Sequence, residues 1–450
     1  MTLPSYPKYK ASGFIWLGDV PEGWALKRLG HYFDERRERA SDTEFEPLSV
    51  TKHGIVPRLE SAAKTQDGDN RKKVVAGDFV INSRSDRKGS SGLSPLNGSV
   101  SLICTVLIPT ALHGPFTHHL FRSALFQEEY YRWGKGIVAD LWSTNFSDMK
   151  NIVLGVPSEA EQTQIARFLD HETARIDALI EEQQRLIDLL KEKRQAVISH
   201  AVTKGFDPTV PMKHSGVEWL GEMPAHWELT AVKYVVESMS QGWSPQCENY
   251  PAQDGEWGVL KVGCVNGGVF NPAENKRLPE ELEPDASLAI KQGDLLISRA
   301  NSRDLVGSAA VAVSDYPWLM LCDKIYRLRL NTERVAPELL ALYLGSSAPR
   351  SQIELAASGA SDSMQNISQS VVMDMPLPLP PVGEQEAILR LLGDTLKRSD
   401  ELVEDVILQR RLLQERRSAL ISAAVTGKID VRGWQPPTDA ASPELAKEAV

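Results

Sequence analysis

Residues 12–24 read SGFIWLGDVPEGW, and residues 215–227 read SGVEWLGEMPAHW. Ser12, Gly13, Trp16, Leu17, Gly18, Pro21 and Trp24 return without a gap as Ser215, Gly216, Trp219, Leu220, Gly221, Pro224 and Trp227. Two tryptophans matched in one ungapped window make a chance repeat untenable. A chain of 450 residues exceeds what one hydrophobic core serves, so the repeat implies two copies of one globular unit. Three further matches follow in the same order. GDFVINSRSDRKGS at 77–90 pairs with GDLLISRANSRDLVGS at 293–308, and each reads as a Gly-Asp turn, a buried strand and a polar loop leaving it. STNFS at 143–147 pairs with MQNIS at 364–368, each before an apolar stretch ending in proline. Glu161-Gln162 pairs with Glu384-Gln385, and from there both halves run ungapped to QAVISHAVTKG at 195–205 and SALISAAVTGK at 418–428.

The fourth match encloses two proline-free segments rich in Glu, Gln, Leu, Arg and Ala, which is helix composition. Steps of four and three select Ile165, Leu169, Glu172, Ile176, Leu179, Gln183, Leu186, Leu190, Lys193 and Val197 as one seam. In the other half they select Ile388, Leu392, Thr395, Ser399, Leu402, Val406, Gln409, Leu413, Arg416 and Leu420. This is a heptad stripe interrupted by polar residues, and two of them in one chain predict an intramolecular coiled coil. The chain must return after the first helix, so the pair is antiparallel. The fold class is therefore α+β: two similar mixed α/β domains separated by two long antiparallel helices, with pseudo-twofold symmetry. The boundaries read as a first domain at 1–157, a helix at 158–204, a second domain at 205–381, a helix at 382–428 and a disordered tail at 429–450. VLKVGCVNGGVF at 259–270 and SVSLICTVLI at 99–108 read as strands, and SALFQEEYYRWG at 123–134 and APELLALYLGS at 336–346 as helices.

Catalytic machinery is missing from this pattern. No phosphate loop, GxGxxG, HExxH or GxSxG occurs, and NPAE at 271–274 falls short of an adenine-methylation tetrapeptide. No catalytic or metal-ligating residue is assigned. His113, His118 and His119 in LHGPFTHHL lack carboxylates at ligand spacing and read as an exposed loop. Cys104, Cys247, Cys264 and Cys322 are scattered and read as reduced packing residues, and the repeated tryptophans as core clamps. No apolar run is long enough to span a bilayer, so a cytoplasmic chain without membrane contact is expected. The net charge of −10 opposes nucleic-acid binding unless acids and bases are segregated. Basic residues cluster at 71–88, and more weakly in the second half, where Lys291, Arg299 and Arg303 stand against Asp294 and Asp304. The loops after the Gly-Asp strands mix Arg with Asn and Ser, side chains able to make paired hydrogen bonds to base edges. The candidate DNA contacts are Lys52, Lys73, Arg84, Arg87 and Lys88 in the first half, and Lys261, Arg299, Asn301 and Arg303 in the second.

Taken together, the Gly-Asp strand with its arginine loop, the N[FI]S segment, the Glu-Gln helix start and the Ala-Val-Thr ending resemble the specificity subunit of type I restriction-modification systems, over roughly residues 10 to 430. The resemblance implies two target recognition domains, each reading half of a split DNA sequence, with the helices as spacer. It implies double-stranded DNA, two modification subunits and restriction subunits as partners. S-adenosylmethionine, ATP and Mg would be held by those partners, and none in this chain. The competing reading is a protein-interaction scaffold that reads no bases.

Overall fold

The computed structural model describes residues 3–59, 68, 70–136 and 142–437. It divides into two compact units, one formed by residues 1–184 with 408–450 and one by residues 185–407. Each long helix, Glu159–Lys204 and Val382–Val425, therefore contributes to both units. The units do not stop at the domain boundaries read from the sequence, because each globular part is completed by one end of each helix.

In the first unit, strands β1 (Phe33–Glu35), β2 (Phe79–Asn82), β3 (Ser91–Leu93) and β4 (Cys104–Pro109) form an antiparallel sheet in the order β3-β2-β4-β1. In the second, β5 (Val236–Gln241), β6 (Leu295–Ser298), β7 (Ala309–Val311) and β8 (Ile325–Leu330) form β7-β6-β8-β5. The order is the same, as the repeat requires. Both Gly-Asp strands are central: all four residues of β2 and of β6 are buried. Their aspartates tie the turn that enters the strand. Asp78 accepts from the Val75 amide and from Arg36, and Asp294 from the Lys291 amide and Arg329. SVSLICTVLI holds the end of a short strand and most of β4. VLKVGCVNGGVF departs from the sequence reading, since after Gly258–Leu260 the chain enters 3-10 turns over Val262–Gly268. Gly267 and Gly268 there take positive φ, which an extended run of apolar residues does not foretell.

The repeated opening passage packs against the helices. In the first unit the Trp24 indole donates to Glu161 (3.0 Å); in the second the Trp227 indole donates to Glu384 (3.0 Å). Lys10 and Lys213 each reach back to the carbonyl of that tryptophan, at 2.6 and 2.7 Å. The next residue, glutamine, is buried in both units. Gln162 bonds the His113 amide and the Pro157 carbonyl, and Gln385 bonds the Ala336 amide and the Pro380 and Arg334 carbonyls. Each glutamine thus fixes the residue that precedes a short helix, Gly114–Arg122 or Pro337–Leu344. Replacing Gln385 by Ala strands these groups and should cost about 2–3 kcal/mol, read as a lower urea midpoint of the second unit.

From His113 onward the glutamine bonds place position n of the first half opposite n+223 of the second, which moves the third sequence match. Thr144 N donates to Ser83 O and Ile367 N to Arg299 O, so Asn145 corresponds to Ser368, not to Asn366. Asn145 and Ser368 are both N-caps of short helices.

The helix seam is also corrected. The inward positions are Ile165, Leu169, Thr173, Ile176, Ile180, Gln183, Ile187, Leu190, Arg194 and Ile198. On the second helix they are the same positions plus 223: Ile388, Leu392, Leu396, Ser399, Val403, Val406, Arg410, Leu413, Arg417 and Ile421. On the first helix Ile165, Leu169, Ile176, Gln183 and Leu190 agree with the heptad reading and the other five layers lie one residue later, as do their counterparts on the second, leaving Leu179, Leu186 and Leu402 exposed. Adjacent apolar pairs, Leu179-Ile180 and Leu186-Ile187, made the two phases indistinguishable by pattern. Within each unit the helices run antiparallel: Ile165 and Leu169 share a core with Ile421, Ala424 and Val425, while Ile198, Ala201 and Val202 share one with Ile388 and Leu392. Gly427 terminates its helix at φ +71°, where a Cβ would lie 2.4 Å from Pro21. Part of the expected tail is ordered core. Val431 is buried, Trp434 packs on Phe168, and Gln164 bonds the Val431 and Trp434 carbonyls. Residues 438–450 lie outside the described residues.

Candidate nucleic-acid interface

In the second unit the loop leaving β6 is held by backbone on both sides. Arg299 N donates to Lys324 O (2.8 Å), its carbonyl accepts from Ile367 N (3.0 Å), and its Nε reaches Asp323 O (3.1 Å). Asn301 pairs in register with Gln365 and donates through Nδ2 to Asn266 (3.2 Å). Arg303 N donates to Asp362 O (3.0 Å). The Asp323–Lys324 turn is tied in its own right to Gln241 and Ser244. Beside it a trench of about 470 Å³ is lined by Lys261, Lys276 and Lys324 with Ser244, Gln246 and Asn249, over a floor including Val259, Leu260 and Cys322. Lys261 has Glu274 at 3.4 Å; among the described residues no carboxylate pairs with Lys276 or Lys324. The structure thus brings Lys261 and Arg299 together through the Asp323–Lys324 turn. Sequence reasoning missed Lys276 and Lys324, which stand on elements far apart in the chain with no shared motif.

The first unit scatters its candidates more widely. Arg84 and Arg87 are exposed on the loop leaving β2, Arg84 bridged through its backbone to Ser143 and Arg87 beside Asp86 at 3.7 Å. Lys88 ends that loop, bound to Glu128 and 5.7 Å from the Tyr131 ring centre. Lys52 is exposed at the turn of the hairpin Leu48–Thr51 and Gly54–Pro57, and it lines the same cavity as Lys88. Lys73 does not join them: it sits on the strand Arg71–Val74, paired with Glu38 at 2.9 Å and stacked over Phe45.

The histidines are not on an exposed loop. His118 and His119 lie on the helix Gly114–Arg122, His119 buried and bonded to Asp170 at 2.7 Å. Burial, with Arg122 and His119 nearby, pushes His118 down to about 4, so it is neutral near pH 7. All four cysteines are free thiols and three are buried; burial raises each of the four. Trp16, Trp24 and Trp227 are buried, as clamps should be. Among the described residues no group of His, Cys, Asp and Glu is placed to hold a metal ion, and no helix is long and apolar enough to cross a membrane.

The geometry defines a duplicated protein with a basic loop carried on the central strand of each unit. No protein-family model matches the chain. Across nearly its whole length it resembles the MjaVIII type I restriction specificity subunit of Methanocaldococcus jannaschii, 24% identical over 92% of this chain and 94% of that one. It resembles the EcoKI specificity subunit of Escherichia coli K12 likewise, 23% identical over 93% and 91%. The EcoEI specificity subunit of E. coli is 27% identical over 53% of this chain, a match spanning 40% of the relative. In fold it matches a chain of a type I restriction-modification system solved for its assembly and conformational transition, with TM-score 0.68, 18% identity and coverage of 91% and 99%. The HsdS subunit from Thermoanaerobacter tengcongensis matches with TM-score 0.51, 18% identity and coverage of 91% and 98%. In sequence over nearly its whole length, and in fold, the chain is thus similar to specificity subunits of type I restriction-modification systems.

Proposed function

We propose that this chain reads a bipartite double-stranded DNA sequence, one half per unit, and directs partner subunits to methylate or cut there. The observation that carries the reading is the duplication of one sheet, each time with a basic loop leaving its buried central strand. A rigid strand ending in a polar loop is a suitable mount for base-reading side chains. In the second unit Arg299, Asn301 and Arg303 are the base-facing candidates, and the lysine trench beside them takes phosphates. In the first, Arg84 and Arg87 are the exposed candidates.

The chemistry belongs to other chains. This subunit contributes no catalytic step, and S-adenosylmethionine, ATP and Mg are held by two modification subunits and by restriction subunits. Support for a repeated protein partner comes from the helices, where Leu179 and Leu189 are exposed on the first and their counterparts Leu402 and Leu412 on the second. Equal apolar positions presented twice suit two copies of one partner.

Methylome mapping of the host tests the reading. One bipartite adenine-methylated motif should vanish when this chain is deleted and return when it is restored. A methylome unchanged by the deletion would favour the scaffold reading instead.

A further inference from the structure

The first unit holds a cavity of about 600 Å³ where its globular part meets both long helices, lined among others by Lys52, Lys88, His118, Arg122 and Arg417. Two carboxylates also line it, and both are engaged: Asp177 takes Arg417 in a two-pronged pair at 2.7 and 3.0 Å, and Asp170 takes His119. Arg122 is only partly exposed, yet its hydrogen bonds go to neutral acceptors, the His118 ring (2.9 Å) and the Lys52 carbonyl. Burial and the neighbouring Arg417 lower its affinity for its own proton, with Asp177 opposing them. A half-buried guanidinium with no carboxylate bound to it, beside a second cation, Lys52 and a Lys88 whose partner Glu128 lies on the exposed rim, lacks an anion of its own.

The duplication supplies an internal control. The Arg417–Asp177 pair recurs in the second unit as Arg194–Asp400 (3.3 Å), so that contact belongs to the scaffold. The rest of the cavity does not recur. At the positions corresponding to His118, His119, Arg122 and Asp170 stand Ala341, Leu342, Gly345 and Gly393. The basic lining is therefore an addition to one unit alone, and packing of the helices does not require it.

We propose that this cavity is a phosphate site of the first unit, with Arg122 as its fixed donor and Lys52 and Lys88 as its mobile rim. Guanidinium groups present a planar fork of donors matched to phosphate oxygens, and lysines add charge at variable distance. Lys88 closes the loop that leaves β2, so a phosphodiester seated here would hold a DNA strand in register with Arg84 and Arg87. That placement rests on the DNA-reading function above. A free nucleotide offers the same phosphate chemistry, and the experiment separates the two sources.

The full chain, purified with its partner subunits, is titrated with duplexes carrying the mapped motif, in which one phosphate at a time is replaced by an uncharged methylphosphonate. For the wild type, one position flanking the first half-site should weaken binding about ten-fold, the loss expected of one charge-assisted hydrogen bond. Arg122→Gln should bind the unmodified duplex about as weakly and be indifferent to that replacement. Lys52→Gln, changed at an exposed turn where folding is not at stake, should show a smaller loss at the same position. If no replacement matters but inorganic pyrophosphate raises the melting temperature of the wild type and not of either variant, the site takes phosphate from a free nucleotide. If neither DNA nor pyrophosphate distinguishes the variants from the wild type, the phosphate site is refuted. In that case continued sequence-selective binding by the wild type leaves the DNA reading intact, whereas its absence removes that reading too.

Discussion

Neutralising Lys261, Lys276 and Lys324 together as glutamines should weaken DNA binding by roughly 10²- to 10³-fold at low salt and flatten its salt dependence. Each phosphate contact contributes about 0.9 to the slope of log affinity against log salt on duplex DNA, so three lost contacts lower it by about 2 to 3. Fluorescence anisotropy across a salt series measures both quantities. The three lysines approach the trench from separate elements, and Lys276 and Lys324 have no carboxylate bound among the described residues, so removing them frees no buried charge. Base preference at the first half-site should persist, because that unit has its own core and its own loop. An unchanged slope would show that the trench does not face DNA.

The largest effect on stability is expected at the clamp. Trp227→Ala removes an indole that is 1% exposed, empties its place against the helix and leaves Glu384 without that donor. Such substitutions cost about 3–5 kcal/mol, enough to unfold a unit of ordinary stability. Urea unfolding followed by circular dichroism should show the loss in one transition, with Trp24→Ala producing the matching loss in the first unit. A shift below about 1 kcal/mol would mean that the clamp is not what joins the globular part to the helix.

These two expectations differ in how far the chain itself foretold them. The tryptophan repeat was plain to read, and so were the Glu-Gln pairs, since both recur at fixed spacing. What could not be read was that they touch, Trp24 to Glu161 and Trp227 to Glu384. Repetition records that a residue is needed twice, while the partner depends on a fold that brings together positions well over a hundred apart. The helix register failed for a local reason: leucine followed by isoleucine presents two apolar faces, and burial selected the isoleucine. The histidines were read as an exposed loop for want of a nearby carboxylate, whereas they lie on a helix with Pro115 in its first turn, and the partner of His119, Asp170, comes from the distant long helix. Arg84, Arg299 and Arg303 did fall on loops after buried strands, with Arg87 in a 3-10 turn there and Asn301 on a two-residue strand paired to Gln365. Lys276 and Arg122 carried no sequence signal, because a cavity is assembled from elements that have no common period.

One consequence concerns the order in which the chain is completed on the ribosome. The unit made of residues 185–407 is contiguous, and its core can close as soon as Ile407 clears the exit tunnel. The unit begun first is completed later, since Ile421, Ala424, Val425 and Val431 belong to its core and follow residue 407 in the chain. Until then Trp24, Ile165 and Leu169 lack the part of their core that the stretch from Ile421 to Val431 supplies.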